Sequence, residues 1–160
     1  MIIDERGGIA LTVDFVLKRA PGVRVASIVR IGPWKEDNLR TEFGELVRWA
    51  ARQKLRTGRW IFFERGRSRW EACLEVRGNA PAEGRIRLKS LPATAVASVM
   101  FDPDQVSSRV VYHGLSDWTR ARRRDGTIRS VLAIREVYSG DPWREKSAWA
   151  HCEVQFVVRR

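Results

Sequence analysis

The sequence predicts an α+β fold made of two similar β-α-β-β halves, related by an approximate two-fold and forming an eight-stranded antiparallel curved sheet with two helices and a central cleft. Three observations predict it. Val25-Ala26-Ser27-Ile28-Val29 recurs as Val96-Ala97-Ser98-Val99-Met100, and self-similarity of this kind marks a repeated unit. The helical stretch after each copy carries matching landmarks, Phe43, Leu46 and Trp49 in one and Tyr112, Leu115 and Trp118 in the other. Eight strand-like segments accompany only two helical ones, and a helix covers only one face of a four-stranded half-sheet.

The elements follow in order. Residues 10–18 alternate, with Leu11, Val13, Phe15 and Leu17 on one face, so they read as a strand. After Pro21-Gly22, residues 23–31 form a second strand, closed by the turn Gly32-Pro33-Trp34. Residues 36–54 place Leu39, Phe43, Leu46, Val47 and Ala50 on one side, the stripe of an amphipathic helix, and Thr57-Gly58 ends it. Residues 59–64 and 69–77 read as a hairpin around Gly66. The second half repeats the order: strands at 84–90 and 94–101, a helix over 105–122, and strands at 130–138 and 147–158 with Asp141-Pro142 between them. Each helix backs one face of its half-sheet, and the uncoated faces are expected to line a concavity where the halves meet, a favoured place for ligands.

A length of 160 residues suits one domain over 1–160, with halves at about 10–78 and 83–158. The hydrophobic fraction of 44% excludes disorder as the default reading. The net charge of +11 permits nucleic acid, anionic lipid or acidic proteins as partners. The bases are nearly all Arg and are spread along the chain; the run Arg120 to Arg124 is accounted for as a solvated helix end complementing the dipole, with nucleic-acid contact as the alternative. Cys73 and Cys152 belong to no C-x-x-C or Cys/His cluster, so no metal and no cofactor is expected, and buried free thiols are the plain reading. No basic leader precedes an apolar run at the start, and no stretch is apolar enough to span a membrane, so the expected location is the cytoplasm with no membrane partner.

Two motifs carry a resemblance: Arg30-Ile31-Gly32-Pro33-Trp34, and Arg135-Glu136-Val137-Tyr138-Ser139-Gly140-Asp141-Pro142. With the duplicated strand, helix and hairpin, the chain resembles the GyrI-like small-molecule-binding family. That family includes the effector-binding domains of AraC-type and MerR-type transcription regulators and stand-alone gyrase inhibitor proteins. The chain departs from the pattern in having Trp34 where Tyr is common, and Phe101-Asp102-Pro103-Asp104 in place of the second Gly-Pro-aromatic turn. The resemblance implies a twisted sheet of two half-sheets around a cleft. It also implies that Glu136 matches the acid on the floor of the cleft in multidrug-binding relatives.

The residues themselves fill in a site. Glu136 and Tyr138 lie two apart on a strand and share a face, with Ile134 beside them. Aligning Gly66 with Gly140 makes Phe62 the counterpart of Glu136, and Glu64 that of Tyr138, so Trp60, Phe62 and Glu64 line the same concavity from the other half. The partner strands offer Trp70, Trp149 and His151, and Trp34 can reach the rim. Aromatic faces hold planar or cationic ligands by stacking and cation–π attraction, and an apolar cleft penalises a bare carboxylate unless a cation accompanies it. The same aromatics read equally well as core, Glu64 as surface, and His113 and His151 as packing or surface residues.

The first functional reading is a binding protein for small aromatic or cationic molecules, acting by sequestration or through a protein partner such as a regulator or a DNA-processing enzyme. The resemblance carries an alternative, a hydrolase of electrophilic, cyclopropane-containing natural products, with Glu136 activating water and Tyr138 or Glu64 assisting. No nucleophile elbow or triad pattern supports it from the residues alone. A third class, an inhibitor of a DNA-processing enzyme or a nucleic-acid binder, rests on the charge.

Overall fold

The computed structural model describes residues 13–160. In chain order it has β1 (Val16–Ala20), β2 (Val23–Ile31), α1 (Glu36–Arg52), β3 (Arg56–Glu64), β4 (Arg69–Arg77), β5 (Arg87–Leu91), β6 (Thr94–Phe101), α2 (Ser108–Arg124), β7 (Ser130–Tyr138), a short α3 (Lys146–Ala150) and β8 (Cys152–Arg159). All eight strands form one antiparallel sheet in the order β1-β6-β8-β7-β3-β4-β2-β5. Each half contributes four neighbouring strands, except that β1 and β5 are exchanged: β5 pairs with β2 of the first half and β1 with β6 of the second.

The connections force the sheet to curl. β1 and β2 stand first and seventh in the sheet yet are joined only by Pro21-Gly22; β5 and β6 stand eighth and second yet are joined only by Pro92-Ala93. Six strand spacings on a flat sheet amount to about 29 Å, whereas two linking residues reach only about 10 Å. The sheet therefore rolls into a half-barrel that brings both linkers together, and a Cβ placed on Gly22 would lie 3.4 Å from the Ala93 nitrogen. The inner face is packed: Ala20, Val25, Phe63, Cys73, Leu91, Val96, Val137 and Val157, drawn from all eight strands, form one buried cluster.

Both helices pack on the outer face. Phe43, Leu46, Trp49 and Ala50 of α1 pack on Ile28, Phe62, Trp70, Ala72 and Leu74; Val111 and Leu115 of α2 pack on Ala97, Val99, Val154 and Phe156. Each fully buried Val, Leu, Ile or Phe among them contributes ~1.5–3 kcal/mol. This corrects the expectation that the uncoated faces form the cleft. The face without helices is the filled inside of the half-barrel, and the cleft lies on the helical face, between α1 and α2.

Four strands have the expected bounds, at 23–31, 69–77, 94–101 and 130–138. Other expectations shift. Residues 10–12 of the first strand lie outside the described residues. Val47 faces solvent, and Trp49 takes its place in the α1 stripe. α1 ends at Arg52, with Lys54 in the left-handed region (φ 54), and Thr57-Gly58 lies inside β3 at a register shift. There a Cβ on Gly58 would meet the Glu75 carboxylate at 2.8 Å, the same carboxylate that accepts from the Arg59 backbone N–H at 3.0 Å. Residues 103–106 turn beneath the Asp102 carbonyl, which accepts from Gln105 and Val106, so α2 begins at 108 rather than 105. The expected strand 147–158 is divided: residues 146–150 are helix, because the Glu145 carbonyl accepts the amides of Ala148 and Trp149 and no strand among the described residues pairs with them. No helix among the described residues is long and apolar enough to cross a membrane.

Candidate functional site

The halves meet where β3 pairs with β7, with Phe62 opposite Glu136, Trp60 opposite Tyr138 and Glu64 opposite Ile134. In the internal alignment Phe62 and Glu136 are counterparts, so the pseudo-two-fold axis passes through this pair. The duplication is broken at its own centre: an apolar ring from one half faces a carboxylate from the other.

Above this pair is a cavity of about 570 Å³. β3 and β7 supply its floor, with Phe62, Glu64, Ile134, Glu136 and Tyr138; α1 supplies Leu39 and Phe43, and α2 supplies Ser108 and Tyr112. Trp34, Glu36, Phe101, Pro103 and Cys152 also border it, and a further wall comes from the long β7–β8 connection, which has no counterpart in the four-residue β3–β4 turn. Asp141 organises that connection. Its carboxylate accepts the Trp143 amide at 2.9 Å and its carbonyl accepts the Glu145 amide at 2.8 Å. The Glu145 carboxylate lies over Gly140, where a Cβ would meet it at 2.7 Å and displace that side chain.

The connection lays two indoles over the cleft, each tethered near the start of a different helix. Trp143 donates from Nε1 to Glu36 at 3.2 Å, and Trp149 donates from Nε1 to Asp104 at 2.9 Å. Trp149 lies parallel to Tyr138, with 6.4 Å between ring centroids and 3° between planes.

Glu136 is held from both sides. Tyr112 donates to its Oε1 at 2.5 Å and Tyr138 to its Oε2 at 2.9 Å. Burial, then the Glu136 charge, pushes both phenols far above their ordinary range, so both remain protonated donors. Cys152 borders the same cavity, and its thiol is pushed up to about 12 by burial first and Glu136 second; it is an inert wall. Glu64 is also raised, by desolvation and then by Glu136. Among the described residues its carboxylate has no side-chain hydrogen-bond or ion-pair partner.

The cavity is acidic and aromatic. Glu36, Glu64 and Glu136 line it, and among the described residues no Lys, Arg or His does, in a chain of net charge +11. Of the site residues read from the sequence, Glu136, Tyr138, Phe62, Glu64, Trp149 and Trp34 border the cavity, Trp34 half-exposed at the rim and 5.8 Å from the Phe62 ring. Three do not. Trp60 stacks on Phe43 at 4.8 Å, behind the wall. Trp70 is buried beneath Phe62. His151 is exposed, its Nδ1 2.8 Å from the Ser147 carbonyl, because it follows α3 instead of lying on a strand. Sequence reasoning missed Tyr112, Trp143, Phe43 and Phe101 as cavity residues. For Tyr112 a signal existed: it is the counterpart of Phe43 with a hydroxyl added.

The Arg120 to Arg124 run lies elsewhere, at the end of α2. Arg122 covers the Trp118 ring at 4.4 Å and Arg120 pairs with Asp117 at 2.9 Å. Among the described residues, no group of three or more His, Cys, Asp or Glu is arranged to hold a metal.

No family model and no curated protein sequence matches the chain. Solved structures do. EcmrR in its complex with DNA superposes with a TM-score of 0.71 at 22% identity over 92% of this chain. This chain spans 58% of the length of that protein. The EcmrR C-terminal domain gives a TM-score of 0.65 at 18% identity, over 94% of this chain and 99% of that one. SAV2435 bound to tetraphenylphosphonium gives 0.54 at 6% identity, over 91% and 94%. The chain has the fold of these proteins, which is the doubled, GyrI-like fold that the motifs around Trp34 and Glu136 implied.

Proposed function

We propose that this fold serves here to bind organic cations with aromatic surface in the cleft over Phe62 and Glu136. One observation carries the reading: among the described residues, a basic chain lines this aromatic cavity with three carboxylates and no cationic side chain. A cation entering it exchanges water for ring faces, each worth ~0.5–2 kcal/mol, and for the Glu136 charge in a medium of reduced dielectric. That SAV2435 shares the fold and is bound to tetraphenylphosphonium agrees with this reading.

Glu136 serves as a fixed anionic centre. With both oxygens engaged by tyrosine hydroxyls, it is placed to face a cation and not to take a proton from water. The geometry thus favours binding over the hydrolytic alternative. Tryptophan quenching with tetraphenylphosphonium and with neutral triphenylphosphine oxide tests the proposal. The cation is expected to bind at least tenfold more tightly, and Glu136→Gln to shrink that difference. Equal affinity for the two compounds overturns it.

A further inference from the structure

Of the three acids that line the cavity, Glu136 and Glu64 lie on its floor, and they are held in opposite ways. Glu136 is clamped by Tyr112 and Tyr138. Glu64 borders the same cavity with no side-chain partner among the described residues. The register places them on adjacent strands and the same face: Phe62 is opposite Glu136, and Glu64 is two residues further along β3. Diagonal neighbours of this kind have backbones ~7–8 Å apart. Together the pair offers two separated negative charges along the cleft floor, with Phe62 and Ile134 filling the other two corners.

We infer that Glu64 is a second, specificity-determining anionic subsite, which makes the cleft select ligands carrying two positive charges a few bonds apart over those carrying one. The inference rests on the cation-binding reading and narrows its ligand class. A monocation satisfies Glu136 and leaves Glu64 a desolvated carboxylate facing another carboxylate, an arrangement that costs free energy whenever Glu64 is charged. A dication neutralises both. The selection is therefore linked to pH. Desolvation and the Glu136 charge raise the Glu64 carboxyl, so below its raised range it is neutral and the second charge of a ligand finds no partner. Preference for dications grows as pH rises through that range and then levels off. The other ionisable groups bordering the cavity are Glu36 from α1, Tyr112 from α2, Tyr138 from β7 and Cys152 from β8; the two phenols and the thiol stay protonated across it.

Ethidium and propidium test this directly. They share one phenanthridinium ring system, and propidium adds a quaternary ammonium on a three-carbon tether. Affinities follow from dye fluorescence, for wild type, Glu64→Gln and Glu136→Gln, between pH 4 and pH 8, with thermal unfolding to establish that each variant is folded. Wild type is expected to prefer propidium about tenfold at pH 8, as one added ion pair in a partly desolvated site implies. Glu64→Gln is expected to bring that ratio near one by weakening propidium much more than ethidium, and to flatten the pH dependence of the ratio. Equal affinities in wild type, or a ratio unmoved by Glu64→Gln, overturn the dication inference and leave the cation-binding proposal standing. Binding of neither dye, together with no preference for tetraphenylphosphonium over its neutral analogue, overturns both.

Discussion

Tyr112, on the helix of the second half, donates to Glu136, on the strand at the pseudo-two-fold axis, at 2.5 Å across the cleft. In the first half the same helical position is Phe43, which has no hydroxyl, and the same strand position is Phe62, which needs none. The acid and its clamp thus arise together in one half of the duplication. The other half supplies the apolar Phe43 and Phe62 at these two positions, and Glu64 as the counterpart of Tyr138.

Tyr112→Phe therefore removes a charge-assisted hydrogen bond and leaves the ring. A carboxylate losing one of two buried donors costs ~1–3 kcal/mol, which corresponds to a fall in Tm of about 2–12 °C for a chain of this size. Calorimetry checks it. Phe43→Tyr, which adds a hydroxyl where no carboxylate waits, is not expected to compensate. If Tyr112→Phe unfolds at the wild-type temperature, the short contact with Glu136 has no energetic weight.

The bounds of four strands, the repeat and the shared face of Glu136 and Tyr138 were legible because each is a local property. Val25–Val29 and Val96–Met100 announce buried strands by composition, and period two puts residues 134, 136 and 138 on one face whatever the tertiary structure. The side of the sheet that carries the cleft was not legible. It follows from the swap of β1 and β5, which lies in long-range pairing such as Leu17 with Ala97. The same cause hid Tyr112, since helix periodicity assigns it to the packed stripe and only the sheet curl opens a gap in front of it. Trp149 and His151 were both assigned to a strand that begins only at Cys152; Trp149 still reaches the cavity, from α3, and His151 does not.

Glu64 ties function to stability. Its pKa is raised by burial and then by Glu136. A carboxyl whose folded pKa exceeds its unfolded one stabilises the native state below the unfolded pKa, and that contribution is lost as pH rises through the folded value. At neutral pH the charge is a burden in the absence of ligand. Glu64→Gln is expected to raise Tm at pH 7 and to lose that advantage toward pH 4, where wild-type Glu64 is itself protonated. Glu75 has the opposite sign: its bond to Arg59 depresses its carboxyl, so Glu75→Gln is expected to destabilise at pH 7 and to approach neutrality below pH 4. Thermal scans of both variants at the two pH values check the signs, and a Glu64→Gln variant less stable than wild type at pH 7 contradicts the environment described for this residue.

The inner face of the half-barrel holds two buried charges of contrasting design. Glu71 is 1% exposed and paired with Lys89. Arg135 is 5% exposed and lies over the Phe63 ring at 5.0 Å, with no carboxylate partner among the described residues and its Nε unbonded. Burial, then the nearby Arg65 and Arg59, lowers its pKa, although the guanidinium stays charged. Removing one member of a buried pair is costly, whereas replacing a buried unpaired charge by an apolar chain of similar length relieves desolvation. Arg135→Met is accordingly expected to raise unfolding stability by ~0.5–2 kcal/mol, and Glu71→Gln to lower it by ~1–3 kcal/mol. Urea denaturation of the two variants decides between this account and one in which the Arg135 stack on Phe63 itself holds the β3–β7 seam. In the second case Arg135→Met loses stability and, because Phe62 and Glu136 sit on the other side of the same seam, ethidium affinity falls with it.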